Sequence, residues 1–505
     1  MILHTVLDYL DYRSILLFVF VFLLMADILK NRNPPNYPPG PWSLPFLGNI
    51  FTDLEPKTMM KLAEKYGNVF SLRKGSEKMV FVGGYKMAKE ALVTRGENLV
   101  DRPDIPLFNK VFKGIGLVLS NGYLWKKHRR FAGTHFKNFG EGKKMMELFI
   151  QQECVFLCQA MEDEQGDYRN PAIHPSICGY FNPLVIIYNA IANVICTLVF
   201  GHRYDYNDAR FQNLLRLDNE CVYLAGSTRA LLYNLWPRLF DYLPGPHQTI
   251  FSNYDQITTF LKEEIAKHKK DWDPSDPRDF VDAYFGEMDK MAADSEAGFN
   301  TKTLVICTLD LFEAGTESSA TTLRWGLLYM MKYPEIQKKV QAEIDRVIGQ
   351  ARQPCMADRP NMPYTDAVIH ETQRIADILP LGFPKMTSND STLGGYFIPK
   401  GTSITAILTS VLKDKCEWET PNTFNPGHFL DSQGQFRRRD AFYPFSAGPR
   451  ACLGEQLARM ELFLFFTSLL QRFTFAPPPG EEVDIEGVLG FTYFPKPYKM
   501  CATPR

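Results

Sequence analysis

Apolar and polar positions alternate in distinct ways along this chain. Residues 14–29 form an almost unbroken apolar run, relieved only by Ser14 and Asp27. Residues 58–66 carry helical spacing, whereas 69–73 and 79–82 are short runs rich in β-branched and aromatic residues, separated by Gly75-Ser76-Glu77-Lys78. That pattern predicts a helix and then two strands joined by a turn. From about residue 119 to 374 helical periodicity dominates, and 300–333 is a long, strongly apolar stretch that Pro334 ends. Short strands return at 391–398 and 402–407 around glycine and proline, and 455–473 reads as a last long helix. The expectation is a mainly α body with small β-sheets, behind an N-terminal apolar segment.

That segment is slightly shorter than the roughly 20 residues that cross a bilayer, and Val6, Leu7, Tyr9 and Leu10 extend it. It lacks the basic start and small-residue cleavage site of a signal peptide, since Asp8 and Asp11 precede the single Arg13. Residues 1–30 are therefore expected to be an uncleaved membrane anchor, with Lys30 and Arg32 keeping the rest of the chain on the cytoplasmic side. Pro34, Pro35, Pro38, Pro39 and Pro41 then make 31–45 a stiff, extended hinge. The remainder, 46–505, is read as one catalytic domain.

Composition narrows function by exclusion. A formal net charge of -1 argues against a general affinity for nucleic acid. Ten cysteines without a dense framework, Cys154 and Cys158 among them at helical spacing, predict a reducing compartment with no structural disulfide.

The chemistry concentrates at Phe445-Ser446-Ala447-Gly448-Pro449-Arg450-Ala451-Cys452-Leu453-Gly454, just before the last helix. A cysteine at a helix mouth meets exposed N–H groups and the positive end of the dipole, which favour its thiolate. Gly448 and Gly454 allow turns or close approach, and Arg450 supplies a cation suited to an acid-bearing flat cofactor. Phe-x-x-Gly-x-Arg-x-Cys-x-Gly resembles the haem-binding signature of the cytochromes P-450. The resemblance implies the cytochrome P-450 fold, with haem b (iron protoporphyrin IX) between a long distal helix and the proximal cysteine loop. Cys452 would then be the thiolate ligand of the iron, with Phe445 beside it. A zinc site at Cys452 lacks nearby Cys or His partners.

In the long apolar helix, Gly315 costs about 1 kcal/mol of helix propensity relative to alanine, which points to something packed closely against it, here a flat ligand. Ala314-Gly315-Thr316-Glu317-Ser318-Ser319 resembles the family's oxygen-activating segment, whose hydroxyl and acid deliver protons to dioxygen. Thr316, Glu317 and Ser318 are the candidate catalytic residues. Ser318 departs from the usual threonine: the hydroxyl is kept and the methyl that stiffens χ1 is lost. Glu313 is a second departure, either an ion-paired carboxylate or a polar element near the substrate.

Trp125 and Arg129 stand one helical turn apart, so both can face one anion. In the family such a Trp-x-x-x-Arg holds a haem propionate; Arg102 and Arg450 match two further propionate ligands, and Lys385 takes a place usually filled by His or Arg. Glu371 and Arg374, three residues apart, resemble the family's buried Glu-x-x-Arg, locked by a later Pro-x-x-Phe-x-Pro segment that here runs from Pro421 to Phe429 and carries His428 where many relatives have Arg.

Finer matches resemble the microsomal family 2, subfamily J branch. This implies a monooxygenase of the endoplasmic reticulum membrane acting on polyunsaturated fatty acids such as arachidonic acid and on xenobiotics. Its electrons would come from NADPH through NADPH-cytochrome P-450 reductase, with cytochrome b5 as a second donor. The basic clusters at 126–130, 143–144 and 437–439 are read as solvated faces, and two of them, flanking segments expected on the cysteine side of the haem, as a docking surface for that acidic partner. Largely apolar segments at 105–119, 214–224, 309–313, 379–383 and 489–494 would recognise a lipophilic substrate. A haem-thiolate isomerase or dehydratase acting on lipid hydroperoxides, and a non-catalytic haem- or lipid-binding membrane protein, stay open as alternatives.

Overall fold

A computed structural model describes residues 12–138, 143–164 and 179–505. Helix α1, Tyr12–Lys30, is long and apolar enough to cross a membrane, and none of it is buried in the protein. The part of the expected anchor at 1–11 lies outside the described residues. The chain divides into two units: Met1–Pro103 with Leu381–Ser410, and Asp104–Pro380 with Val411–Arg505.

In the first unit the expected hairpin forms as β1, Val69–Lys74, and β2, Glu77–Val82, around a turn at Gly75, whose φ of 59° suits glycine. Strand β3, Lys385–Met386, comes next in the chain; β4, Ser391–Leu393, and β5, Tyr396–Ile398, form a separate hairpin. Strand β6, Ser403–Ala406, runs parallel to β2 and antiparallel to β3, so the sheet order is β1-β2-β6-β3. Side chains alternate across it: Val69, Val80, Val82 and Ile404 join one apolar cluster, and Phe70, Leu72 and Phe81 another. The proline segment runs along the first unit. Its second half docks on β1, where Ser71 donates its N–H to Pro39 O at 2.7 Å and its hydroxyl to Pro38 O at 2.8 Å.

The second unit is helical. Its elements include α2, Gly122–Asn138; α3, Lys143–Asp163; α4, Leu184–Phe200; α5, Ala209–Ala225; α6, Pro246–Lys270; α7, Thr301–Lys332; α8, Pro363–Ala376; and α9, Glu455–Arg472. The long apolar stretch becomes α7, capped by Asn300, whose side chain accepts the Thr303 N–H at 3.0 Å. It packs against α4, α6, α8 and α9. Gly315 is explained by a protein neighbour rather than by a flat ligand: a Cβ there would lie 2.5 Å from Ile195 Cδ1 of α4. Strands β7, Phe473–Ala476, and β10, Cys501–Pro504, pair at one edge, while β8, Gly487–Leu489, and β9, Tyr493–Pro495, form a hairpin tied to α7 by the Trp325 Nε1–H donating to Tyr493 O at 3.0 Å. Cys501 is disulfide-bonded, which corrects the expectation of no structural disulfide.

Glu371 and Arg374 are both fully buried and form a two-pronged pair, Nε to Oε2 and Nη2 to Oε1, each at 2.7 Å. The remaining guanidinium N–H groups donate to Leu412 O, Pro421 O and Thr423 O at 2.8–3.0 Å. Asn425 N–H donates to Glu371 Oε1 at 2.8 Å, and His428 Nδ1 lies 3.2 Å from both carboxylate oxygens. Glu371→Ala leaves a buried guanidinium uncompensated, which costs on the order of 3–5 kcal/mol. That is comparable with the whole stability of many domains. The variant should be recovered without haem; a soluble variant with full haem content by pyridine haemochrome assay contradicts this role.

Candidate active site

The cysteine loop closes on itself. Ala451 N–H donates to Gly448 O and Cys452 N–H to Phe445 O, both at 3.0 Å, and Gly448 takes a φ of 79° that requires glycine. Gly454 has an ordinary φ of -87° and open space where a Cβ would stand, so the expected conformational need holds at 448 and not at 454. Cys452 is exposed on one side, yet the protein around it desolvates its thiol. Burial raises that thiol above its ordinary value, against the Gly454 N–H and the Arg129 guanidinium, which pull it down. Burial thus disfavours the thiolate in the protein alone, and a bound metal cation would favour it.

Around this loop the second unit gathers Trp125, Arg129, Arg450 and Phe445. Arg129, on α2, donates to Ala451 O at 2.5 Å, next to the cysteine, and among the described residues has no carboxylate partner. Arg450 is buried, donates to Ser120 O at 2.6 Å and Val118 O at 3.3 Å, and stacks 3.8 Å from the Trp125 ring centroid. Trp125 is buried, and its indole N–H has no hydrogen-bond partner among the described residues. A buried donor left in that state costs free energy unless an acceptor arrives, so cations and an orphaned N–H together fit an acid-bearing group. The Phe445 ring lies 5.0 Å from the Arg459 guanidinium. Within the first unit, Met386 N–H donates to Asp101 O at 2.8 Å, which brings Arg102 and Lys385 close: both are buried and donate to Phe383 O, at 3.3 and 3.4 Å.

Helix α7 turns one accessible stripe outward among buried neighbours. Ala314 is exposed, and Leu311, Gly315 and Ser318 are half-buried. Ser318 lies on that stripe, its hydroxyl donating back to Ala314 O at 2.7 Å. Thr316 and Glu317 point elsewhere. Thr316 is fully buried, with its hydroxyl unpartnered among the described residues. Glu317 Oε1 accepts the hydroxyls of Thr321, at 3.0 Å, and Thr492, and burial pushes its carboxyl up to about 7. Consecutive helical residues diverge by about 100°, so the expected acid and hydroxyl sit on different faces rather than side by side.

Four of the five apolar segments meet in the second unit. Phe108 packs edge-on to Phe491 at 5.8 Å, Phe491 N–H donates to Val222 O at 3.1 Å, and Asp310 accepts the N–H groups of Leu117 and Val118 at 2.6 and 3.3 Å. Asp310 escapes sequence reading except as an acid inside an apolar helix; Asp218, buried on α5, and Glu461, buried on α9 and accepting the Ser319 hydroxyl at 2.5 Å, carry no local signal at all.

A family model described as Cytochrome P450 matches residues 38–502. The chain is 50% identical to Cytochrome P450 2J2 of Homo sapiens over 98% of its length and 96% of that relative. It is 48% identical to Cytochrome P450 2J1 of Oryctolagus cuniculus over the same shares, and 43% identical to Cytochrome P450 2H2 of Gallus gallus over 99% of this chain and all of the relative.

Trp125→Phe keeps the ring and deletes the orphaned N–H. If that N–H serves an anionic group of haem, haem transfer to an acceptor globin should speed up about tenfold, with little change in secondary structure by circular dichroism. An unchanged transfer rate contradicts the assignment.

Proposed function

The chain belongs to the cytochrome P450 family, and from that premise we propose that it is a membrane-anchored monooxygenase of the endoplasmic reticulum. It hydroxylates or epoxidises lipophilic substrates, polyunsaturated fatty acids such as arachidonic acid and xenobiotics, with NADPH electrons delivered by a reductase. The observation that carries this reading is Cys452 at the mouth of α9, ringed by Trp125, Arg129 and Arg450 with a buried indole N–H awaiting an acceptor.

In this reading Cys452 would supply the thiolate to the iron, Trp125, Arg129, Arg450, Arg102 and Lys385 would serve the acid groups of the cofactor, and Phe445 would belong to the same cofactor-binding set. Bound haem supplies the activation of dioxygen, favoured by thiolate ligation. The protein's task is orientation and proton supply. Ser318 offers a hydroxyl on the accessible stripe of α7, held by its bond to Ala314 O so that an oxygen lone pair stays open to a water or a substrate. Glu317 sits behind it, with Thr321 and Thr492 fixing one oxygen. Because burial raises this carboxyl to about 7, it is protonated below that pH and ionised above it, and near neutrality it can both release and take up a proton. The meeting of Phe108, Phe491 and Val222 supplies an apolar wall for a hydrocarbon chain.

Arg437 and Arg439 are held by Glu419 at 3.2 and 2.9 Å, and Lys127 by Asp294 at 3.7 Å; Lys126, Arg130 and Arg438 stay exposed for an acidic partner. Reconstituted with reductase and NADPH under 18O2, the protein should convert arachidonic acid to oxygenated products carrying one labelled atom. No product above the NADPH-free control contradicts the fatty-acid assignment, and product formed equally without NADPH favours an isomerase.

A further inference from the structure

The hairpin of β8 and β9 gives one residue to the apolar wall and the next to the buried acid of α7. Phe491, at its tip, packs edge-on to Phe108 and donates its N–H to Val222 O. Thr492 is buried, and its hydroxyl donates to Glu317 Oε1. The apolar character of 489–494 marks the whole segment as facing substrate, whereas Thr492 is turned to the acid.

That hydroxyl is not what fastens the hairpin. The Trp325 and Tyr493 rings stack 5.6 Å apart, and the Trp325 N–H donates to Tyr493 O at 3.0 Å. Arg324 donates to Pro495 O at 3.3 Å, and Tyr493 N–H donates to Ile378 O at 2.8 Å. The hydroxyl instead governs the acid. With the Thr321 hydroxyl, at 3.0 Å, it occupies both lone pairs of Oε1, so a proton on Glu317 belongs on Oε2, which has no hydrogen-bond partner among the described residues. The Arg324 guanidinium is the one described charge that bears on this carboxyl. Ionisable groups brought to α7 by its neighbours are engaged elsewhere: Glu461 of α9 with Ser319, Tyr254 of α6 with Glu313, Glu371 of α8 with Arg374, and Tyr498 with Arg324 O. Helix α4 carries no charged residue.

We infer that Thr492 is a positioning residue for oxygen insertion, holding Glu317 so that its proton is carried on Oε2 rather than on either oxygen. The segment that forms the apolar wall thus also places the acid, one residue further on. Because the hydroxyl donates to the carboxylate it favours the ionised form, and its loss moves the Glu317 midpoint up from about 7. The inference rests on the monooxygenase reading, in which Glu317 supplies protons from behind Ser318.

Infrared difference spectra of the holoenzyme across pH follow the Glu317 carboxyl directly, its band being the one that Glu317→Gln removes. Thr492→Val, which keeps the shape and deletes the hydroxyl, should raise the midpoint by about one pH unit. It should also lower the product formed per NADPH consumed by about tenfold. Thr492→Ser should keep both at wild-type values. In a Glu317→Gln background, Thr492→Val should cost less than about a further twofold in yield, because its effect passes through the acid. An unchanged midpoint in Thr492→Val, or a loss of the same size with and without Glu317, overturns the inference. Thr492→Ala serves if Thr492→Val takes up no haem; if neither does, the hydroxyl is a folding element and the inference falls. A wild-type holoenzyme that forms no product with NADPH fails the monooxygenase reading instead, on which the infrared titration does not depend.

Discussion

The second unit depends on one buried ion pair. Glu371 and Arg374 lie at the end of α8 with no exposure to water, a setting in which two charges are tolerated only if nearly every lone pair and N–H finds a partner. The segment from Leu412 to His428 provides those partners, with three carbonyls for the guanidinium and an amide and an imidazole for the carboxylate. An irregular stretch of chain is thereby fixed to a helix at five points. His428 replaces a guanidinium with a ring that reaches both carboxylate oxygens at 3.2 Å, so the lock holds with a different third residue.

From that fixed segment the chain runs into the cysteine loop, and a second network takes over. Arg450 holds the carbonyls of 118 and 120, Asp310 holds the amides of 117 and 118, and Arg129 holds the carbonyl next to Cys452. One short stretch, 117–120, is thus gripped both by the cysteine loop and by α7. On the proposed reading this ties the substrate-lining segment to the ligand loop through hydrogen bonds.

What was legible in the sequence was local. The hairpin at 69–82, the helix ended by Pro334, the Trp125 and Arg129 pair and the loop around Cys452 each arise from spacing within about ten residues, and each is found where expected. Features that depend on distant neighbours were not. Gly315 announces a close contact but cannot say that Ile195 makes it. Glu317 and Ser318 read as a pair because they are adjacent, yet helical phase separates them and Thr492, far along the chain, claims the acid. Asp218 looks like any acid on an amphipathic helix until α5 is laid against α6. The docking of the proline segment on β1 belongs to the same class.

Everything proposed for this chain turns on Cys452 as the thiolate ligand of haem iron. The most direct measurement is the reduced-plus-CO difference spectrum of the purified protein beside Cys452→His. Thiolate ligation predicts a strongly red-shifted Soret band in the wild type and, in a variant that still takes up haem, a band at the position of histidine-ligated haem. An unshifted band in freshly purified, folded wild-type protein, or a red-shifted band that survives Cys452→His, would contradict it.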